Sequence, residues 1–121
     1  MKNILIIEDD ERQRINLKKI ISENDVVIYE AQDKDEALDI CNKVCIDIFL
    51  VDIVLKSSSG LDFALEIRKI NKYELSWIIF ITTHREYLTE AFKQVHCYDY
   101  IIKPYDKEEI LSTIRKLISH G

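Results

Sequence analysis

Short apolar runs alternate with longer segments of mixed polarity along this chain. The apolar runs are rich in Ile, Val and Tyr, which favour strands, and they occupy residues 4–7, 26–29, 46–51, 77–81 and 98–102. The runs around Ile6, Leu50 and Ile79 are apolar on both faces of the predicted strand. Strands of this kind are typical of the middle of a parallel sheet, which is covered by helices on both sides.

The segments between these runs carry apolar residues at the three- and four-residue spacing of amphipathic helices. One such segment follows each run, with apolar stripes that begin at Ile15, Ala37, Leu61, Leu88 and Ile110. Asp33 and Asp106 each precede a glutamate by three residues, which is typical of a helix N-cap. Five strands that alternate with five helices predict a (βα)5 α/β fold with a doubly wound parallel sheet.

The composition predicts one globular domain that spans residues 1–121. Of the 121 residues, 47% are hydrophobic and 32% are charged, as in ordinary globular domains. No apolar run reaches the ~18–20 residues that a membrane span needs, and no signal peptide is apparent, so we expect a cytoplasmic location without membrane contact. The net charge of −5 argues against DNA binding by this chain alone.

The chain contains three cysteines, which cannot all pair with one another. Cys41 and Cys45 lie four residues apart in a predicted helix, so we expect both to pack inward as small hydrophobic residues. A zinc site that combines them with His96 or Cys97 is the alternative, although this spacing matches no common zinc pattern.

Polar side chains directly follow the first, third, fourth and fifth apolar runs. Because the carboxyl ends of parallel strands meet at one edge of the sheet, we expect these side chains to converge there. They are Glu8, Asp9, Asp10, Asp52, Thr82, Thr83 and Lys103.

Clustered carboxylates at this edge would repel one another unless a positive group lies among them. Their oxygens suit Mg²⁺, which binds few protein ligands and keeps several waters. A carboxylate beside the metal and a lysine can attack phosphorus, and a hydroxyl can then bind the phosphoryl oxygens. The acidic cluster, Thr82 and Lys103 therefore predict magnesium-dependent phosphoryl chemistry.

Four segments of the sequence resemble the receiver domain of bacterial two-component response regulators, and the resemblance covers essentially the whole chain. The segments are IIEDDE, LVDIVLKSSSG, IIFITT and YDYIIKPYD. Their spacing also fits the family, with Gly60, Thr82 and Lys103 lying eight, thirty and fifty-one residues after Asp52. The resemblance implies a flavodoxin-like, CheY-like sheet with strand order 2-1-3-4-5.

The resemblance also implies a role for each residue of the cluster. Asp52 would be the phosphoacceptor. Mg²⁺ would be bound by Asp9, Asp52 and the backbone carbonyl of Val54, and by Glu8 through a water. Thr82 would bind the phosphoryl group.

Three further features follow from the same resemblance. Lys103 would pair with the phosphoryl group, and Tyr100 would be the aromatic residue that turns inward on activation together with Thr82. The Lys103–Pro104 bond would be cis, a conformation that is essentially confined to proline.

By resemblance, the protein would be a signalling module and not an enzyme. A sensor histidine kinase would phosphorylate it, and the phosphorylated form would be a homodimer. It would regulate transcription and contact DNA only through an output domain beyond this chain. The segments THREYLTEAF and YDYIIKP point to the LytTR branch, which contains regulators of the LytR and AgrA kind. Lys56 departs from the family, which often has proline at this position.

Other functional classes fit the sequence less well. A haloacid-dehalogenase-like phosphohydrolase needs a second carboxylate two residues after its nucleophile, where this chain has Val54. A dinucleotide-binding fold needs three glycines in its first turn, and the whole chain has two. A receiver-like interaction module that works without phosphorylation remains the alternative. Separately, the alternative for Thr82 is an ordinary strand residue, and the alternative for Tyr100 is a plain core aromatic.

Overall fold

A five-stranded parallel sheet forms the centre of the protein. The computed structural model describes residues 1–120, the last of them by its backbone alone. The strand order is β2-β1-β3-β4-β5, which confirms the predicted doubly wound topology. The strands are β1 (Lys2–Ile7), β2 (Val26–Ala31), β3 (Ile48–Val51), β4 (Trp77–Thr82) and β5 (Asp99–Ile102).

Five helical segments connect and flank these strands. They are α1 (Glu11–Ile21), α2 (Lys34–Lys43), α3 (Gly60–Arg68), α4 (Leu88–Glu90, continued by the π-helical Ala91–Val95) and α5 (Lys107–His120). A single 3₁₀ turn at Asn71–Tyr73 precedes β4. No helix among residues 1–120 is both long and apolar enough to cross a membrane.

Side-chain caps fix where several of these helices begin. The Asp33 carboxylate accepts a hydrogen bond from the Glu36 backbone N–H at 2.9 Å, and the Glu36 carboxylate accepts one from the Gln32 N–H at 3.0 Å. The predicted cap at Asp33 is therefore confirmed. The Ser59 hydroxyl caps α3 in the same way, by accepting from the Asp62 N–H at 3.2 Å. Ser59 therefore sets the start of α3.

The sheet separates two apolar cores. Alternate residues of a strand point to opposite faces, so Leu5 and Ile7 pack in the core beneath α2, α3 and α4. Ile4 and Ile6 pack in the other core, beneath α1 and α5. All four residues are fully buried, which explains why β1 has no polar position after Asn3.

The strand register decides which residues share the carboxyl edge of the sheet. Ile7 of β1 pairs with Val51 of β3, and Thr82 of β4 pairs with Ile102 of β5. Glu8, Asp52 and Lys103 each come one residue after such a paired position. These three side chains therefore lie at the carboxyl edge of the sheet, beside Thr82.

The fourth helix differs from the regular α-helix that we predicted. Only Leu88–Glu90 is α-helical, and Ala91–Val95 winds as a π-helix. His96 then adopts the left-handed conformation with φ of 58°, and the Cys97 N–H bonds the Ala91 carbonyl at 3.0 Å. Apolar residues at three- and four-residue spacing over so short a segment fit both windings, so the pattern could not distinguish them.

The expectation that Cys41 and Cys45 both pack inward is wrong for Cys45. Cys41 is buried in α2, whereas Cys45 is exposed. Helix α2 ends at Lys43 and Val44 is extended, so the helical spacing no longer applies at Cys45. Within residues 1–120, the only group of three or more metal-ligating side chains close enough to share an ion is acidic, and it contains no cysteine. The zinc alternative therefore has no support.

Candidate functional site

Three carboxylates come together at the carboxyl edge of the sheet. Glu8, Asp9 and Asp52 each offer an oxygen, and these oxygens lie within 4.8 Å of one another. The Glu8 side chain is only 3% exposed, and that of Asp52 is 12% exposed. The structure thus brings together the three side chains that the sequence predicted as metal ligands.

The ammonium of Lys103 lies against two of these carboxylates. Its Nζ is 2.7 Å from Glu8 Oε1 and 3.0 Å from Asp52 Oδ2. It also donates a hydrogen bond to the side-chain oxygen of Gln13 on α1. A lysine ammonium has three protons, so each of them has an acceptor here. The following Lys103–Pro104 peptide is cis, as predicted.

Burial disfavours the charged forms of Glu8 and Lys103, whereas the contact between these two groups favours them. Burial raises the pKa of Glu8 to about 7, opposed by the hydrogen bond from Lys103 and assisted by the negative charge of Asp52. Burial lowers the pKa of Lys103, but its hydrogen bonds to Glu8 and Asp52 outweigh this effect and raise the pKa overall. A divalent cation beside Glu8 would stabilise the ionised carboxylate, which burial alone disfavours.

Backbone N–H groups hold the carboxylates in place. Asp9 Oδ2 accepts from the Lys56 N–H at 2.9 Å, which ties the loop after β3 to the loop after β1. Glu8 Oε2 accepts from the Asp10 N–H at 3.2 Å. Both Glu8 oxygens are therefore occupied by protein donors.

The first residue of α3 lies so close to the backbone of Asp52 that only glycine fits at position 60. A Cβ on Gly60 would lie 1.9 Å from the backbone oxygen of Asp52 and 2.6 Å from Val51 Cγ1. The Gly60 N–H also bonds the Ile53 carbonyl at 2.7 Å. The missing side chain lets α3 begin directly against the site.

Thr82 and Tyr100 lie on neighbouring strands at the same edge. Thr82 is fully buried at the end of β4, and its hydroxyl oxygen accepts from the His84 N–H at 3.3 Å. The Tyr100 hydroxyl donates to the His84 carbonyl. The Tyr100 ring contacts Phe80 and Phe92, with centroids 5.9 and 6.4 Å away. Residue 84 therefore links the two predicted switch residues through its backbone.

Two residues that we expected in the cluster, Asp10 and Thr83, lie outside it. Two residues that do contact the site, Gln13 and Arg14, were not predicted. Asp10 is not one of the three clustered carboxylates and instead caps α1 by accepting from the Gln13 N–H at 2.9 Å. Thr83 is exposed and lies beyond the end of β4. Sequence reasoning missed Gln13 and also Arg14, whose guanidinium donates to the Glu8 carbonyl at 2.8 Å. Their position in the first turn after the acidic cluster indicates that they lie near it, but not which groups they contact.

The arrangement has the chemical features of a phosphoryl-accepting site. The carboxylate oxygens are hard ligands at a partly exposed position, so they fit Mg²⁺ with waters completing its shell. Asp52 is a potential nucleophile with an ammonium 3.0 Å away. Lys103 can neutralise negative charge that reaches Asp52, and the Thr82 hydroxyl lies at the adjacent strand end.

Known protein families include one that matches almost the whole chain. Residues 4–115 match the response regulator receiver domain. Among curated relatives, the sensory transduction protein LytR of Staphylococcus epidermidis is 35% identical over 116 residues, which is 93% of this chain and 44% of LytR. LytT of Bacillus anthracis is 32% identical over 118 residues, which is 96% of this chain and 47% of LytT. The chain thus spans about half the length of these relatives.

Solved structures show the same fold. The response regulatory domain of mrkE from Klebsiella pneumoniae superimposes with a TM-score of 0.88 at 27% identity, covering 98% of this chain and 96% of that one. The response regulator TrrA of Thermotoga maritima, solved in complex with Mg²⁺-BeF, superimposes with a TM-score of 0.85 at 30% identity, covering 97% and 99%. The chain therefore belongs to the family of response regulator receiver domains of two-component systems, and its LytR and LytT relatives are consistent with the LytTR branch.

Proposed function

We propose that Asp52 accepts a phosphoryl group from a sensor histidine kinase in a reaction that depends on Mg²⁺. The observation that carries this proposal is the contact between Lys103 Nζ and Asp52 Oδ2 at 3.0 Å, at the edge where two further carboxylates converge. Glu8, Asp9, Asp52 and the Val54 backbone carbonyl would hold the metal, with Glu8 acting through a water. When bound, Mg²⁺ supplies charge neutralisation for the phosphoryl oxygens.

Asp52, Lys103 and Thr82 have separate roles in the transfer step. A carboxylate oxygen of Asp52 forms a bond to phosphorus while the bond from phosphorus to the donor nitrogen breaks. The imidazole of the phosphorylated kinase histidine keeps that electron pair, and its nitrogen takes up a proton from solvent. Lys103 exchanges its contact with Asp52 for one with a phosphoryl oxygen, and the Thr82 hydroxyl donates to another.

We also propose that Thr82 and Tyr100 form the switch that reports phosphorylation. Thr82 is fully buried and its hydroxyl oxygen accepts from the His84 N–H, so a turn of this side chain toward a phosphoryl group on Asp52 would be a movement within a packed position. Such a movement would disturb its contact with residue 84, whose carbonyl binds the Tyr100 hydroxyl. Packed interiors favour discrete alternatives over gradual deformation, so the response would be a two-state change in α4 and β5.

The wider role of the protein is part of the same proposal. The chain would be the cytoplasmic receiver of a longer transcriptional regulator, because its curated relatives are about twice as long and some of them are named transcriptional regulatory proteins. Phosphorylation would favour a homodimer, and DNA would be contacted through an output domain outside this chain. The domain would act in signalling without turning over a substrate as an enzyme does.

Intact-mass spectrometry with acetyl phosphate and Mg²⁺ tests the phosphoacceptor. We expect one phosphoryl adduct on the wild-type protein and on the control variant Asp62→Asn, which alters an exposed carboxylate in the first turn of α3. The adduct should be absent from Asp52→Asn. In the same samples, Mg²⁺ with beryllofluoride should shift the NMR signals of α4.

Two outcomes would contradict the proposal. An adduct that persists in Asp52→Asn would place the acceptor on another residue. A wild-type protein that is never modified, even by its cognate kinase, would favour an interaction module that works without phosphorylation. Unchanged α4 signals in the beryllofluoride complex would contradict the switch alone.

A further inference from the structure

Lys103 is held by three different elements of the fold. Glu8 follows β1, Asp52 follows β3, and Gln13 belongs to the first turn of α1. Gln13 is the neutral member of this set, and it lies ninety residues from Lys103 in the sequence. A lysine side chain is flexible, so the position of its ammonium depends on such acceptors.

The structure also fixes Gln13 at its own position. The Gln13 backbone N–H donates to the capping carboxylate of Asp10 at 2.9 Å, which anchors the residue at the start of α1. This anchor uses the backbone alone, so it survives a change of side chain. The residue itself is exposed, and its side chain belongs to neither apolar core. A substitution at Gln13 can therefore remove the contact with Lys103 without disturbing the packing.

We propose that Gln13 is a positioning residue for Lys103 in phosphoryl transfer, an inference that rests on the proposed function. Upon transfer, one N–H of Lys103 must donate a hydrogen bond to a phosphoryl oxygen while another stays paired with Glu8. The amide oxygen of Gln13 accepts a hydrogen bond from a further N–H of Lys103 and so keeps the ammonium at the site. Because the amide carries no charge, it adds no negative charge that would repel the incoming phosphoryl group.

The groove beside Lys103 indicates what would replace this contact if Gln13 were changed. An open groove of about 630 Å³ runs between α1 and the segment after β5, and it is lined by residues that include Gln13, Asn16, Lys103 and Tyr105. Without the amide, water in this groove would accept the third proton. The ammonium would then lose one of three fixed partners and sample more orientations. Phosphoryl transfer depends on groups held in position, so it should slow.

Phosphorylation kinetics with acetyl phosphate and Mg²⁺ test the inference. Gln13→Met keeps the side-chain size and removes the acceptor. We expect it to slow phosphorylation about fivefold, which corresponds to about 1 kcal/mol. Asn16→Met is the matched control, because it removes an amide from the same groove that contacts Tyr105 and not Lys103. The control should phosphorylate at the wild-type rate.

Two binding measurements separate positioning from a structural effect. Gln13 contacts none of the carboxylates with its side chain, so Gln13→Met should leave Mg²⁺ affinity within about twofold of wild type. Beryllofluoride engages Lys103 as a phosphoryl group would, so its affinity should fall with the phosphorylation rate. A variant that was merely misfolded would lose both affinities together.

NMR of the metal-free protein provides a readout that is independent of phosphorylation. The ¹⁵N order parameter of the Lys103 ammonium should fall in Gln13→Met and be retained in Gln13→Glu, which keeps an acceptor oxygen. An unchanged order parameter in Gln13→Met would overturn the inference, as would an unchanged or faster phosphorylation rate. If wild-type Asp52 accepts no phosphoryl group, the proposed function fails, and the inference that depends on it fails too. The order parameter would still show whether Gln13 orders Lys103.

Discussion

Replacement of Gly60 by alanine should both destabilise the protein and disable Asp52. Position 60 is the first residue of α3, where alanine would normally be the better helix former. In this fold the added Cβ would lie 1.9 Å from the backbone oxygen of Asp52. Ordinary carbon–oxygen contacts begin at roughly 3.3 Å, so the loop after β3 must move by about 1.4 Å.

The expected cost follows from this displacement. Overpacking a close contact typically costs 1–3 kcal/mol, and weakening of the 2.7 Å hydrogen bond from the Gly60 N–H to the Ile53 carbonyl adds about 1 kcal/mol. We expect the free energy of unfolding to fall by about 3 kcal/mol. For a domain of 121 residues this corresponds to a Tm lower by about 12 °C.

Thermal and urea unfolding, together with the mass assay for phosphorylation, test this prediction. The control is Ser57→Ala in the same loop, where an exposed side chain is removed and stability should change by less than about 0.5 kcal/mol. Without the clash, Gly60→Ala would stabilise the protein by about 0.4–1 kcal/mol, because alanine restricts the unfolded chain. An unchanged or raised Tm would therefore refute the close approach, and normal phosphorylation would refute its effect on Asp52.

Three further predictions concern the metal, the phosphoryl lifetime and the thiols. Asp9→Asn should weaken Mg²⁺ binding more than Glu8→Gln, because both Glu8 oxygens already accept from protein donors; calorimetry that finds equal losses would refute this. Val54 is exposed and apolar, so Val54→Asn should orient water and speed dephosphorylation about fivefold; an unchanged half-life would contradict this. Native labelling at pH 8 should modify Cys45 alone, because burial raises the pKa of the other two thiols to about 11, and rapid labelling of a second thiol would contradict this.

Much of the architecture could be predicted because its signals are local. Apolar runs without polar positions predicted strands covered on both faces, and β1 has this environment. Right-handed crossovers then limit how such strands can be ordered, so the doubly wound topology followed. The convergence of Glu8, Asp52 and Lys103 followed from the same rule, since parallel strands end at a common edge.

Local patterns failed where more than one backbone path fits the same residues. The stripe of α4 fits both an α- and a π-helix, and the structure has both. The spacing of Cys41 and Cys45 implied one buried face, but α2 ends before Cys45. In both places, packing against the neighbouring elements decides where a helix winds differently or stops.

The contacts that complete the site were decided by tertiary structure alone. Gln13 and Lys103 are ninety residues apart, and neither their types nor their spacing indicates a hydrogen bond. Gly60 was recognisable by its spacing from Asp52, but the 1.9 Å approach that excludes a Cβ exists only once α3 has packed against β3. The sequence alone therefore determined which chemical groups reach the edge of the sheet, because these groups directly follow the apolar runs and parallel strands end at a common edge. Which of these groups touch one another depends on side chains from separate elements, and only the packed fold brings those elements within hydrogen-bonding distance.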